Sequence, residues 1–166
     1  PLVPKYIPSW EGTETEDLLK KYPLQLITPH PRFTFHSQHD GKDLWNEEIP
    51  HQRRLKDGYR YTVMRMHPDD AAERDLKDGD LARVYNDRGT ALSIITITPR
   101  MVKGVIHSYG SGGGYDPQGD SPGDADNIDR GGTMNLLTSS RWISKNCPGM
   151  APNSCLAEIE KWEGAE

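Results

Sequence analysis

Two stretches, Leu81–Tyr85 and Thr90–Ile97, are rich in apolar and β-branched residues, and only Asn86-Asp87-Arg88-Gly89 separates them. That pattern predicts two strands joined by a tight hairpin, which commits this part of the chain to a sheet. Shorter segments of the same kind recur at Leu24–Thr28, Tyr61–Met66 and Val102–His107, and Ser154–Trp162 closes the chain with alternating residues. With 16 Gly and 13 Pro among 166 residues, much of the remainder must be loop. Many short strands leave exposed edges unless the sheet closes on itself. The expectation is a mainly β domain, a small barrel with short helices and long loops.

Helices are confined to brief segments. Thr13-Glu14-Thr15-Glu16 has the form of a capping box and predicts a helix from about Glu14 to Lys21, ended by Pro23. His67-Pro68-Asp69-Asp70 predicts a second start, with Pro in the first turn and acids at the positive end of the dipole, running to about Arg74. Lys77-Asp78-Gly79-Asp80 reads as a turn in which Gly supplies positive φ. The segment from His30 to Gly58 reads as loop with one or two helical turns, and Asn135–Ser139 as a turn of helix. Residues 1–21 form an extended, Pro-rich arm with its short helix, and residues 22–166 the barrel domain.

Charge and hydropathy restrict the function classes. The net charge is −5 and no long Lys/Arg run is present, which disfavours a nucleic-acid backbone binder. The longest apolar run, Ile94–Ile97, is far below a membrane span. No signal peptide is visible, and a cytoplasmic setting is favoured. The opening Pro1-Leu2-Val3-Pro4 reads as a linker cut from a longer chain. Cys147 and Cys155 lack redox or zinc-knuckle spacing and read as ordinary thiols.

Three polar constellations stand out, each with an ordinary structural explanation. Thr28 to Gln38 delivers His30, Arg32, His36, Ser37 and Gln38 directly after a strand, residue types that bond phosphate, ribose and heterocycle edges. By composition alone this is a solvated loop, and a three-His metal site from His30, His36 and His39 is weaker still. The acids Asp116, Asp120, Asp124, Asp126 and Asp129 invite calcium, but their spacing breaks the EF-hand alternation, so a flexible acidic loop is expected. Gly131-Gly132-Thr133-Met134-Asn135-Leu136-Leu137-Thr138 allows close backbone approach and presents Asn135, without the context of a dinucleotide-binding glycine motif or a P-loop. No complete catalytic set and no metal ligand set emerges.

The order of the pieces is more specific than any one of them. Leu26-Ile27-Thr28-Pro29-His30-Pro31-Arg32 with Phe35-His36-Ser37-Gln38 resembles the start of the C-terminal domain in the dimethyl-sulfoxide-reductase family of molybdenum and tungsten enzymes. His67–Ala72, Leu76–Asp80, Val84–Gly89, Gly104-Val105-Ile106 and Asn135-Leu136-Leu137-Thr138 follow in that domain's order, so the resemblance runs from about Tyr22 to Trp162. Lys5–Gly12 resembles the arm of the family's transhydroxylase branch, with acetylene-hydratase-like members next. The resemblance implies a six-stranded double-psi β-barrel that binds molybdopterin guanine dinucleotide, usually two copies per molybdenum or tungsten. It implies His36, Ser37 and Gln38 as first contacts to pyrophosphate or pterin, Asn135 and Thr138 as a second set, and His30 and Arg32 as neighbours. The long loop 110–129 departs from the shorter members, with His107–Gly110 at its mouth.

The family's metal-ligating side chain and any iron–sulfur cysteines lie upstream of this domain. The implied partners are therefore upstream domains of a parent chain, with an iron–sulfur subunit left open, and the fragment alone is expected to be inactive. Two other roles use the same barrel: a non-enzymatic adaptor, and a self-processing decarboxylase suggested by Gly110-Ser111. The adaptor follows if the His36–Gln38 segment and the Asn135 loop stand on opposite sides of the barrel.

Overall fold

The computed structural model describes residues 3–6, 8–35, 44–110, 114–119, 127–144, 146–150 and 154–164. Helix α1 (Glu16–Lys21) precedes β1 (Leu24–Ile27), and α2 (Leu44–Glu47) precedes β2 (Arg53–Lys56) and β3 (Tyr59–Met66). Helix α3 (Pro68–Ala72) leads to β4 (Leu81–Asn86), β5 (Gly89–Ile97) and β6 (Val105–Ser108). Two short strands, β7 (Pro117–Gln118) and β8 (Ile128–Asp129), and a 3-10 turn, Met134–Leu137, follow. A separate ribbon of β9 (Trp142–Ser144) and β10 (Cys147–Met150) comes before β11 (Ser154–Lys161).

Six strands close on themselves in the order β3-β6-β1-β11-β4-β5, with β5 returning to β3. The contacts β1–β6 and β3–β5 are parallel, while β3–β6, β1–β11, β11–β4 and β4–β5 are antiparallel. This is the six-stranded double-psi barrel implied by the resemblance. Its interior is aliphatic: Leu24 and Leu26 from β1, Met64 and Met66 from β3, Val84, Ile95, Ile106 and Ile159 meet in one cluster. Burial alternates along β4 as the hairpin pattern requires, and closure leaves no free edge in the six-stranded wall.

The local signals mostly act where the residues place them. His67 caps α3, its Nδ1 accepting the Asp69 N–H at 3.1 Å, with Pro68 in the first turn. Gly79 has φ +86° in the turn before β4. The capping box forms differently: Thr15, not Thr13, is the N-cap of α1, and its hydroxyl accepts the Gly12 N–H at 3.2 Å instead of a helix N–H. The stretch 30–58 contains a strand where loop and helical turns were expected. Asp57-Gly58, at φ 50° and 80°, makes the two-residue turn between β2 and β3, with Lys56 opposite Tyr59. That Asp-Gly pair is a strong hairpin signal.

The strand registers fix which loops share an end of the barrel. Ile27 at the end of β1 lies opposite His107 of β6 and Ser154 of β11. Glu158 of β11 lies opposite Tyr85 of β4, next to the β4–β5 hairpin. The exits of β1, β4 and β6 and the start of β11 therefore face the same way, toward the hairpin end.

Candidate functional site

The hairpin end is assembled by polar side chains that reach backbone atoms. Asn86 Nδ2 donates to the Leu137 carbonyl at 2.8 Å and to the Leu156 carbonyl at 3.0 Å. One amide thus ties the 3-10 turn to the first residues of β11, which pair with β1. Asn86 Oδ1 also accepts the Arg88 N–H at 3.0 Å, shaping the two-residue loop. Arg88 Nε donates to the same Leu137 carbonyl at 2.8 Å. Its two terminal nitrogens form a bidentate pair with Glu11, both at 2.7 Å.

Glu11 is 7% exposed and also accepts the Leu156 N–H, at 3.4 Å. Glu11 is thereby tied to the hairpin end, at Arg88 and at the backbone of Leu156. In the sequence, Asn86 and Arg88 read only as parts of a turn. Their spacing within the Asn-x-Arg-Gly motif was the available signal for a positioning role.

Beside the 3-10 turn, a buried carboxylate organises the glycine-rich segment. Asp129 is 1% exposed. Its Oδ1 accepts the N–H groups of Asp116 at 2.7 Å and Gly131 at 3.0 Å, and its Oδ2 accepts the Thr133 N–H at 2.6 Å. Three N–H donors on one carboxylate satisfy the charge that burial would otherwise penalise. The expectation of a flexible acidic loop fails for these residues: Asp129 holds backbone, and Asp116 pairs with Arg130 at 2.8 Å. The acids Asp120, Asp124 and Asp126 lie outside the described residues.

Arg53, 3% exposed, donates to the Gly131 carbonyl at 3.2 Å from the other side. The turn leaves no space for larger residues. A Cβ on Gly131 would lie 1.6 Å from the Gly114 carbonyl oxygen, and one on Gly110 would lie 2.1 Å from that of Gly132.

The predicted contact residues distribute as follows. His30 and Arg32 are exposed on the segment leaving β1. Asn135 is exposed on the 3-10 turn, and the partly buried Thr138 caps its end, donating to the Asn135 carbonyl at 2.9 Å. Both segments emerge at the hairpin end, bridged through Asn86, Leu156 and the β1–β11 register. His36, Ser37 and Gln38 lie outside the described residues, as does His39 of the three-His set. Among the described residues no group of three His, Cys, Asp or Glu side chains is placed to hold a metal ion. Cys155 is a free, buried thiol whose pKa burial pushes up to about 12, so it is inert as a nucleophile at neutral pH.

This end suits a large polar ligand with phosphate and heterocyclic parts. It offers the exposed amide of Asn135, which can both donate and accept. The Thr133 hydroxyl is buried and has no hydrogen-bond partner among the described residues, an unspent polar group beside the same turn. The closely packed glycines keep the backbone surface there low and free of side chains.

Arg32 serves a second feature as well, a cavity of about 340 Å³ outside the barrel wall, shared with Arg65, Arg100, His107 and Tyr109. His107 is largely buried and its pKa is lowered to about 4, by burial first and by the neighbouring Arg65 second.

The chain is similar to known proteins over nearly its whole length. The chain is 44% identical over 164 residues to the large subunit of pyrogallol hydroxytransferase from Pelobacter acidigallici, covering 99% of this chain and 18% of that protein. It is 35% identical over 163 residues to trimethylamine-N-oxide reductase of Haemophilus influenzae, covering 95% and 18%. It is 38% identical over 148 residues to the dimethyl sulfoxide/trimethylamine N-oxide reductase of Rhodobacter capsulatus, covering 87% and 16%. The chain therefore spans less than a fifth of the length of these relatives. Acetylene hydratase from Pelobacter acetylenicus has the same fold, with a TM-score of 0.67 at 18% identity over 96% of this chain and 21% of that one. Residues 24–156 match the molydopterin dinucleotide binding domain. With the barrel, its order of motifs and these relatives in agreement, the chain belongs to the molydopterin dinucleotide binding domain family.

Proposed function

We propose that this chain is the part of a larger molybdenum- or tungsten-dependent oxidoreductase or hydroxytransferase that holds molybdopterin guanine dinucleotide at the hairpin end of its barrel. The observation that carries the reading is the convergence there of the segment leaving β1 and the 3-10 turn, joined by Asn86. His36, Ser37 and Gln38 supply the first set of contacts, to pyrophosphate or pterin, with His30 and Arg32 as neighbours. Asn135 and Thr138 supply the second, to the pterin edge. Arg88 and Asn86 act as positioning residues, because they fix the Leu137 carbonyl and hence the turn that presents Asn135.

The donors are suited to an anionic ligand on an acidic chain. Backbone N–H groups at tight turns and neutral side chains attract phosphate locally, whatever the net charge of −5. When bound, the cofactor would supply the transfer of electrons or of an oxygen-containing group, and this chain's share is binding and orientation. Residues 1–21 act as an arm, tied to the hairpin end through Glu11, and residues 22–166 as the binding domain. The partners are upstream domains of the same protein. The 44% identity to a hydroxytransferase large subunit favours a transhydroxylase-like parent over a reductase.

The test is the cofactor content of the full-length protein. Acid extraction should release a guanine nucleotide together with molybdenum or tungsten. A purified, folded protein that yields neither would overturn the proposal and favour a non-enzymatic adaptor barrel.

A further inference from the structure

Most arginines of this chain have a carboxylate partner. Arg74 pairs with Glu158, Arg83 with Glu160, Arg88 with Glu11, Arg130 with Asp116 and Arg54 with Asp78. Such pairing is easy in a chain with 25 acidic and 20 basic residues. Arg32, Arg65 and Arg100 are different. Among the described residues none of them has a carboxylate partner, and all three line the one 340 Å³ cavity. Among the described residues no Asp or Glu lines it with them.

The cavity lies against the outer face of β3 and β6. Met64 and Met66 point into the barrel, so Arg65 between them points out, and His107 sits opposite it in the register. Arg100 comes from the connection between β5 and β6, and Arg32 from the segment after β1. Arg65 is partly buried, and burial lowers its pKa. Its partners are neutral: His107 Nδ1 at 3.2 Å, the His51 carbonyl, and the ring of Tyr109, 5.1 Å from the guanidinium carbon. A guanidinium partly removed from water without a counter-charge is costly, and a bound anion removes that cost.

The histidine supports the same polarity. Arg65 can only donate, so His107 Nδ1 must accept, which leaves its ring proton on Nε2. His107 is thus a neutral ring with one N–H donor, held edge-to-face against Tyr109 at 4.6 Å. Phe33 adds an apolar wall beside Arg32, whose guanidinium carbon lies 5.6 Å from the ring.

We infer that this cavity is a binding site for a phosphoryl group borne by a small molecule, held by Arg32, Arg65 and Arg100. Several guanidinium groups without an acid match the charge of a phosphate dianion, whereas a carboxylate needs only one bidentate arginine. The volume falls in the range of small-molecule sites and exceeds what the anion alone would fill. The phosphoryl group has two sources, the bound dinucleotide of the preceding proposal or a separate phosphorylated compound.

Calorimetric titration of inorganic phosphate into the full-length protein at low ionic strength tests the site, together with the nucleotide content of each variant. Arg65→Gln with Arg100→Gln should weaken phosphate binding at least tenfold, and Arg100→Gln alone severalfold. Arg100 is exposed, so its replacement leaves the core intact. Arg141→Gln, an arginine placed over Trp10 instead, should change nothing. If the dinucleotide supplies the phosphoryl group, the Arg100→Gln protein also loses co-purifying nucleotide. If a separate compound does, nucleotide content stays and only phosphate binding falls. Unchanged phosphate binding together with unchanged nucleotide content in the arginine variants overturns the inference, and so does absence of phosphate binding together with unchanged nucleotide content. A wild-type protein that binds phosphate but carries no nucleotide would sink only the cofactor proposal.

Discussion

The barrel wall and the loops at its hairpin end are stabilised by opposite means. The wall buries Leu26, Met64, Ile95 and Ile106 completely and depends on their removal from water. The hairpin end buries Asp129, Arg53 and Glu11, and depends on pointing their charges at backbone atoms or at each other. A wall built from apolar residues tolerates exchange of one aliphatic side chain for another. A loop built on buried charge has no equivalent substitute, because each group has a specific partner and a penalty if that partner is lost.

The sharpest contrast is between Asp129→Ala and Leu26→Ala. Removing the Asp129 carboxylate strands the N–H groups of Asp116, Gly131 and Thr133, a loss of about 3–5 kcal/mol in local stability. Hydrogen exchange should accelerate at those three amides while the amides of β1 and β6 stay protected. Leu26→Ala should cost about 3 kcal/mol and lower the protection of the whole barrel, seen as a shifted denaturant midpoint. Equal protection changes in both variants would break the contrast.

A smaller effect is expected at the arm. Glu11→Gln keeps an acceptor but removes the charge that faces Arg88, for a loss of about 1–2 kcal/mol. Proteolysis between the arm and α1 should become faster, and an unchanged cleavage rate would show that the arm is held by other contacts.

The dependence on pH sharpens the comparison from the wall side. His107 is lowered to about 4 from a usual value of 6.5, so the unfolded chain takes up its proton first as pH falls. Stability from this residue is therefore fully present above pH 6.5 and declines toward pH 4. His107→Gln should flatten the stability curve across that window, measured by denaturant titration at several pH values. The smallest effect is at Thr133, whose buried hydroxyl has no partner among the described residues. Thr133→Val should be neutral or stabilising by up to about 1 kcal/mol in protein free of ligand. A clear loss would show that the hydroxyl is satisfied in solution.

These two regions also differ in how far the amino-acid sequence discloses them. The wall strands follow from alternation and turn residues, since burying one face of a strand leaves a period of two. The strand Arg53–Lys56 escaped that logic because it carries Arg53, Arg54 and Lys56, although Asp57-Gly58 marked its hairpin. At the hairpin end, the ordered motifs pointed to His30, Arg32, Asn135 and Thr138. Nothing in a row of acids and glycines distinguished Asp129, which is buried, from its neighbours. Its role depends on backbone N–H groups from three positions meeting in space, and long-range geometry of that kind leaves no local pattern. The arginine cavity was equally hidden, because Arg32, Arg65 and Arg100 are far apart along the chain and only the strand order brings them together.

The central claim is that the segment after β1 and the 3-10 turn jointly hold the dinucleotide. Its most direct measurement is the guanine nucleotide retained by full-length protein carrying His36→Ala and Asn135→Ala, with the circular dichroism spectrum as a check on folding. The account predicts a folded protein that has lost most of its bound nucleotide. A folded double variant that retains the wild-type amount would contradict it.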